Sequence, residues 1–196
     1  MTRDSRADMV RSAASLIRAR GVSATSFSEV LGDSGAPRGS IYHHFPQGKE
    51  QLAGDAIKWT SERVLAHQRE CQAKTPAGVL ECFIDMWRQV VIASNGTAGC
   101  VVAGVAVDTM PDAEDLMRLV KATFQSWIEL LADQLRRAGL HEDRAGSVAV
   151  ATLAGMEGAL ILCRAERSVR PLEAVAVELK RLVAASSRPS RTAAEP

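Results

Sequence analysis

The sequence predicts an all-α protein of about nine helices, and two observations carry this prediction. Apolar residues recur every three or four positions along nearly the whole chain, which is the spacing of an amphipathic helix. Aromatic residues make up only 4% of the 196 residues, whereas β-strands are enriched in aromatic and β-branched side chains. We therefore expect neither a β-sandwich nor a β-barrel.

Three helices are predicted in the first 50 residues. The first spans about Ser5 to Arg20 and is ended by a glycine. The pattern Ser26-x-x-Glu29 is a capping box that opens a second, short helix, and Gly35 ends it. A third short helix is expected over Ala36–Phe45, with Pro37 in its first turn. Two short helices joined at a glycine, after a longer one, are typical of a helix-turn-helix domain.

Six further helices, most of them longer, are expected in the rest of the chain, at about 49–73, 77–94, 100–107, 111–137 (opened by Pro111), 142–164 and from 171 onward. The apolar run at 100–107 fits either a buried strand or a buried helix, and the all-α context favours a helix. The residues after 186 are rich in Ser, Arg, Pro and Ala, which predicts disorder. We therefore expect a DNA-binding domain at 1–48, a body at 49–186 and a disordered tail at 187–196.

Charge and cysteine content exclude several classes of protein. There are 24 Lys and Arg residues against 23 Asp and Glu, so the net charge is +1. That balance excludes a protein that coats nucleic acid by bulk charge but allows a local basic face. The four cysteines lack zinc-ligand spacing and are too few for a disulfide framework in so long a chain: Cys71, Cys82, Cys100 and Cys163. We expect no metal, no cofactor and reduced thiols.

Neither a secretory signal nor a membrane span is predicted. The first ten residues carry four charges and no apolar segment. The most apolar stretch, Ser147–Cys163, contains Glu157 and is shorter than the ~20 residues that a membrane span needs. We expect a cytoplasmic protein that does not bind membranes.

The third short helix carries mostly polar side chains around two apolar residues, Ile41 and Phe45. Arg38 can donate two hydrogen bonds to a guanine edge, and hydroxyl, imidazole and ammonium groups can bind phosphates. Gly39 would allow DNA to approach the backbone closely. The candidate DNA-contacting residues are Thr25, Pro37, Arg38, Gly39, Ser40, Tyr42, His43 and Lys49. The alternative is an ordinary solvated polar face.

A metal site at His43 and His44 is not expected, because adjacent helical residues point about 100° apart.

The segment from Gly21 to Leu52 resembles the N-terminal DNA-binding domain of the TetR family of bacterial transcriptional repressors. The matching residues are Gly21, Thr25, Val30, Gly35, Gly39, the block Ile41-Tyr42-His43-His44-Phe45, Lys49 and Leu52. Leu31-Gly32-Asp33 departs from the Ala-rich run that is common in the family, and the glycine costs about 1 kcal/mol of helix propensity. A weaker resemblance to the LmrA/YxaF-like branch involves Gly99-Cys100, Ala106-Val107-Asp108 and the block from Met156 to Leu160.

The resemblance implies a helical body that dimerises and holds a small-molecule pocket. Aromatic, Met and Cys side chains could line that pocket, although each also fits a plain core, and a buried, inert Cys100 is a further alternative. The candidates are Trp59, Phe83, Met86, Trp87, Cys100, Phe124, Trp127 and Met156. Small residues at 142–164 and Leu/Val residues of the last helix could form the dimer face or serve the chain's own core. They are Ser147, Ala151, Ala154, Gly155, Gly158, Leu172, Val175, Leu179 and Leu182.

The function predicted from the sequence is a ligand-responsive repressor. It would bind double-stranded, pseudo-palindromic operator DNA as a homodimer and be released by a small apolar or aromatic effector. The alternative is a small-molecule binding protein with a vestigial DNA-binding domain. An enzyme is not expected, because no Ser/His/Asp set or carboxylate pair stands in a coherent context.

Overall fold

The computed structural model describes residues 4–109 and 113–186, and the all-α prediction is confirmed for them. These residues form nine helices: α1 Ser5–Arg20, α2 Phe27–Ser34, α3 Ser40–His44, α4 Lys49–Arg69, α5 Pro76–Ala93, α6 Val101–Asp108, α7 Glu114–Arg137, α8 Glu142–Glu166 and α9 Arg170–Ser186. The apolar run at 100–107 is helical, as its context favoured. The predicted helix start at Pro111 and the predicted disordered tail at 187–196 lie outside the described residues.

Local capping signals set the C-terminal end of α1, at Gly21, and both ends of α2, as predicted. The hydroxyl of Ser26 accepts a hydrogen bond from the backbone N–H of Glu29, and the Glu29 carboxylate accepts one from the backbone N–H of Ser26. This reciprocal capping box satisfies two donors that the first turn leaves free. Gly35 ends α2 in the left-handed conformation, with φ of 66°, which glycine adopts without steric cost.

Helix α3 is shorter than predicted. It begins at Ser40, because Pro37–Gly39 form a turn in which the Pro37 carbonyl accepts hydrogen bonds from the backbone N–H and the hydroxyl of Ser40. Helix α4 also ends four residues earlier than predicted, at Arg69. Ile41 and Phe45 are 0% and 1% exposed. These two side chains anchor α3 in the core of the N-terminal domain.

One continuous apolar core joins the N-terminal helices to the body. Helix α1 packs on α4 and α6, while α8 packs on α7 and α9. By length and composition, α8 could cross a membrane, but nine of its side chains are buried inside this fold. The N-terminal domain is therefore seated directly on the helices of the body.

A disulfide corrects the expectation that all thiols are reduced. Cys71, just after α4, is bonded to Cys82 of α5, with their Cα atoms 6.0 Å apart. Pro76 starts α5 close to the end of α4, so the chain folds back and brings the two cysteines together. Cysteine counting cannot detect this, because it depends on the turn between the helices. Cys100 and Cys163 are free and buried.

Reducing this disulfide should lower the free energy of unfolding by about 2–3 kcal/mol, because the crosslink restricts the unfolded chain over a short loop. The measurement is urea unfolding with and without dithiothreitol. The variant Cys71→Ser/Cys82→Ser is the control and should not respond to the reductant. Equal stability of the wild type in both conditions would contradict the prediction.

Candidate DNA interface and effector cavity

The outer side of α3 and the turn before it form an exposed polar face. Arg38 and His43 are exposed, and Tyr42 is 69% exposed with its ring edge-on to Phe27. Ser40 is half-buried, with its hydroxyl bound to the Pro37 carbonyl. Because Ile41 and Phe45 are the buried side chains that anchor the helix, its outward-facing side chains are available to a partner.

Gly39 lies in the middle of this face and is not required by the fold. Its φ is −77°, which any residue adopts, and a Cβ atom there would meet nothing within 4 Å. The exposed Pro37 lies beside it. Neither the backbone conformation nor the packing explains why this residue is a glycine. Close approach of a partner molecule to the backbone would explain it.

Two of the candidate DNA-contacting residues are engaged inside the protein. Thr25 is 3% exposed, and its hydroxyl donates to the Gly21 carbonyl at 2.8 Å. We therefore leave Thr25 out of the candidate interface. The half-buried Lys49 donates from Nζ to the Ser23 carbonyl at 3.0 Å, which holds the turn between α1 and α2. This bond uses one of the three donors of the ammonium group, so Lys49 stays in the candidate interface.

The same turn is tied to the body through Asp108, the last residue of α6. The carboxylate of Asp108 accepts a hydrogen bond from the backbone N–H of Ser23 at 2.6 Å. This hydrogen bond is the main cause that lowers the pKa of Asp108. A Cβ atom on Gly21 would lie 2.5 Å from Oδ2 of Asp108. We call these contacts of Gly21, Ser23 and Asp108 the junction. No local sequence pattern predicts it, because Ser23 and Asp108 are 85 positions apart.

A cavity of about 330 Å³ lies among α1, α4, α5 and the start of α6. Four of the predicted pocket residues line it, namely Trp59, Met86, Trp87 and Cys100. Basic side chains that the sequence analysis had not assigned to the pocket also line it, namely Arg11, Arg18, Arg63 and His67. The cavity combines apolar aromatic walls with a basic border.

The other four predicted pocket residues are not among those that line this cavity. Phe83, Trp127 and Met156 are 1%, 2% and 0% exposed and lie in the core. Phe124 is half-buried, with its ring edge-on to Trp127. Aromatic residues at helical spacing have the same pattern in a core as in a cavity wall, so the sequence could not separate the two groups.

A second cavity of about 360 Å³ lies among α1, α6 and α8 and shares Arg18, Gly99 and Cys100 with the first. Glu157 lines it, and burial raises the pKa of that carboxyl to about 7, against a hydrogen bond from Cys100 that lowers it. Burial raises the pKa of the Cys100 thiol well above its usual value. Burial therefore favours the protonated form of the Cys100 thiol, which lies between the two cavities.

Comparisons with known proteins decide the family. Residues 76–178 match the family described as "Transcriptional regulator LmrA/YxaF-like, C-terminal domain", and residues 10–56 match "Bacterial regulatory proteins, tetR family". The chain belongs to the TetR family of transcriptional regulators. This confirms the resemblance seen in the DNA-binding segment and in the LmrA/YxaF-like blocks.

Relatives and solved structures agree with this assignment. The TetR-family chain is 39% identical to an HTH-type transcriptional regulator of Mycobacterium tuberculosis, covering 90% of this chain and 93% of the relative. It is 28% identical to LmrA of Bacillus subtilis, covering 86% and 91%. A TetR regulator of Chloroflexus aurantiacus matches with a TM-score of 0.75 at 26% identity, covering 92% and 94%. CifR, in a cysteine mutant solved with a 26-bp operator DNA, matches with a TM-score of 0.74 at 18% identity, covering 89% and 94%.

In this TetR-family regulator, α8 carries an exposed apolar stripe. Val150, Ile161 and Leu162 are 50%, 69% and 50% exposed. Several small residues of the predicted dimer face lie along the same stripe: Ser147, Ala154 and Gly158 are exposed, and Ala151 is half-buried. These seven residues, some bulky and some small, lie on one face of α8 that no part of the described chain covers.

The remaining residues of the predicted dimer face serve the regulator's own core to different degrees. Leu172 and Leu179 are 0% and 6% exposed. Gly155 lets α9 approach α8, because a Cβ atom there would lie 3.2 Å from Val175. Val175 and Leu182 are half-buried. We therefore place the candidate dimer face on the α8 stripe and leave Leu172, Leu179 and Gly155 out of it.

Proposed function

We propose that this chain is a cytoplasmic, ligand-responsive repressor that binds a pseudo-palindromic operator as a homodimer and is released by a small effector. The observation that carries the proposal is the exposed face of α3 and its preceding turn. That face presents Arg38, Tyr42 and His43 on a helix anchored from behind by only two side chains. The operator DNA held by CifR supports the proposal by structural likeness.

Each domain contributes base contacts and phosphate contacts. The guanidinium of Arg38 suits the two acceptors of a guanine in the major groove, while Tyr42, His43 and Lys49 bind phosphates. Residues 1–50 hold seven basic and five acidic side chains. So small a charge excess gives weak binding by one domain, and two domains on one operator are needed for tight binding.

The dimer brings the α8 stripes of two chains together. A symmetric interface uses the same surface on both chains, and small residues on a helix let a partner helix come close. The exposed Ile161 and Leu162 would then be removed from water, which is the main driving force of association. The spacing of the two α3 helices in this dimer sets the spacing of the half-sites.

The effector acts through α6. The start of α6 borders the first cavity at Cys100 and Val101, and its end carries Asp108, which holds the turn before α2. A compound that moves the start of α6 would therefore move the junction and change the orientation of α3. Release of DNA requires that the effector bind the non-operator conformation more tightly than the operator conformation.

Selection of bound sequences from a random DNA pool tests the proposal. We expect a two-fold symmetric consensus, and we expect the full site to bind far more tightly than an isolated half-site at the same salt concentration. Binding that ignores sequence, together with intact small-molecule binding in the cavity, would instead favour a small-molecule binding protein with a vestigial DNA-binding domain.

Replacing Gly158 by leucine should weaken the dimer by about 1–3 kcal/mol, because extra volume in a close helix contact forces the helices apart. The matched control is Gly146→Leu, which changes an exposed glycine of α8 that also has nothing within 4 Å but lies about 120° around the helix from Gly158. Sedimentation equilibrium at micromolar concentration measures both variants. A monomeric wild type, or equal weakening by the two substitutions, would exclude this dimer face.

A further inference from the structure

We propose that the first cavity takes an anionic compound, an aromatic carboxylate of about two fused rings. This inference rests on the proposed function of the cavity as the effector site. It names the chemical class of the effector, beyond the apolar or aromatic character that the sequence predicted.

Within the described part of the chain, the cavity border carries basic side chains and no acidic ones. Among the described residues that line the cavity there are three arginines and one histidine, and no carboxylate. Arg11 is paired with Asp8, and the guanidinium of Arg63 lies 5.0 Å from the centre of the Trp59 ring. The half-buried Arg18 has no ion-pair partner within the part of the chain that the structure describes. A ligand carboxylate would give Arg18 a charged partner.

A buried donor in the wall also lacks an acceptor. Trp87 lines the cavity and is 4% exposed, and its Nε1 has no hydrogen-bond partner among the described residues. An indole N–H can only donate, and a buried donor without a partner costs free energy. By contrast, the Nε1 of Trp127 donates to Ser61 in the core. An acceptor oxygen on the ligand would give this N–H the partner that it lacks.

The volume and the apolar walls of the cavity indicate the size and the ring character of the ligand. Trp59, Met86 and Val90 give the cavity apolar walls that suit an aromatic body. Its volume of about 330 Å³ is roughly twice that of an engineered cavity of ~150 Å³ that holds benzene. A bicyclic ring with one carboxylate fits both the walls and the volume. Glu157 lines the second cavity and does not line this one.

The test uses three probes with the same rings and different charge: 2-naphthoate, 2-naphthamide and 2-naphthylmethylammonium. Calorimetry on the full chain without DNA should show 2-naphthoate binding at least tenfold more tightly than 2-naphthamide, and the ammonium compound binding most weakly. Two variants locate the site. Trp87→Phe keeps a ring but removes the N–H, and Arg18→Gln removes the charge. Arg18→Gln should weaken 2-naphthoate several-fold and leave 2-naphthamide much less affected, because the amide has no charge to lose a partner. Trp87→Phe should weaken both compounds several-fold, because the amide also offers an acceptor oxygen.

Arg20→Gln is the matched control, because Arg20 pairs with Glu29 and lines the second cavity but not the first. It should leave the affinity for all three probes unchanged. Absence of 2-naphthoate binding, binding of the amide or the ammonium compound as tight as that of 2-naphthoate, or insensitivity to both site variants would overturn the inference.

A measurement of operator binding distinguishes failure of the anion inference from failure of the proposed function. If the chain binds its selected operator but not 2-naphthoate, the anion inference fails and the repressor proposal stands. If 2-naphthoate binds with the expected charge and variant pattern yet leaves operator affinity unchanged, the cavity chemistry stands and the effector role fails.

Discussion

Arg38→Ala should lower the affinity for the selected operator by about 2–6 kcal/mol in the dimer, since each bidentate guanine contact contributes about 1–3 kcal/mol. The loss should be concentrated at one base pair of each half-site, where the preference for guanine should relax. Arg38 is exposed and makes no contact that the fold needs, so the free energy of unfolding should be unchanged. The measurement is affinity for the operator and for its single-base variants.

Lys49→Ala provides the comparison, because an ammonium group that binds phosphate carries no base preference. It should weaken binding to all sequences alike and make the dependence of affinity on salt shallower by about one unit per half-site. A salt series on the operator and its variants measures both. The assigned roles would be reversed if Arg38→Ala lowered all affinities uniformly while Lys49→Ala changed base preference.

Gly21→Ala should lower the free energy of unfolding by about 2–4 kcal/mol. Gly21 has φ of 85° and ψ of 173°, a conformation that is essentially restricted to glycine and costs other residues about 1–3 kcal/mol. In addition, the new methyl group would displace the Asp108 carboxylate from Ser23, which costs about 1 kcal/mol for a solvent-accessible hydrogen bond. Urea unfolding measures the total.

Gly48→Ala separates the two causes. Gly48 also has a positive φ, 79°, but a Cβ atom there would meet nothing within 4 Å. This variant should therefore show the backbone strain alone, and Asp108→Ala should show the loss of the junction alone. We also expect Asp108→Ala to uncouple effector binding from operator release. Equal losses in Gly21→Ala and Gly48→Ala, with no effect of Asp108→Ala, would remove the junction from the mechanism.

Elements whose signals are local could be predicted from the sequence. The capping box at Ser26 and the glycine at 35 fix α2 with contacts no more than four residues apart. The start of α3 was missed because Pro37 suits a turn as well as the first turn of a helix. Thr25 was assigned to DNA because a hydroxyl near the second helix looks available, whereas it binds a carbonyl four residues earlier.

Features that depend on long-range contacts could not be predicted. The disulfide joins residues whose proximity is set by the return of α5 along α4, and the junction joins residues 85 positions apart. The basic border of the cavity is built from two helices, and neither shows it as a pattern in its own sequence. Arg38 and Tyr42 were predictable as surface residues because a short helix anchored by two apolar side chains has no core in which to bury them.

The anchoring of α3 by Ile41 and Phe45 has a consequence for evolution. Substitutions at the outward-facing positions change which bases are read without changing the buried contacts that hold the helix. New recognition specificities can therefore arise through mutations that are nearly neutral for folding. Duplicated copies of such a gene could diverge rapidly to different target sites while keeping one scaffold.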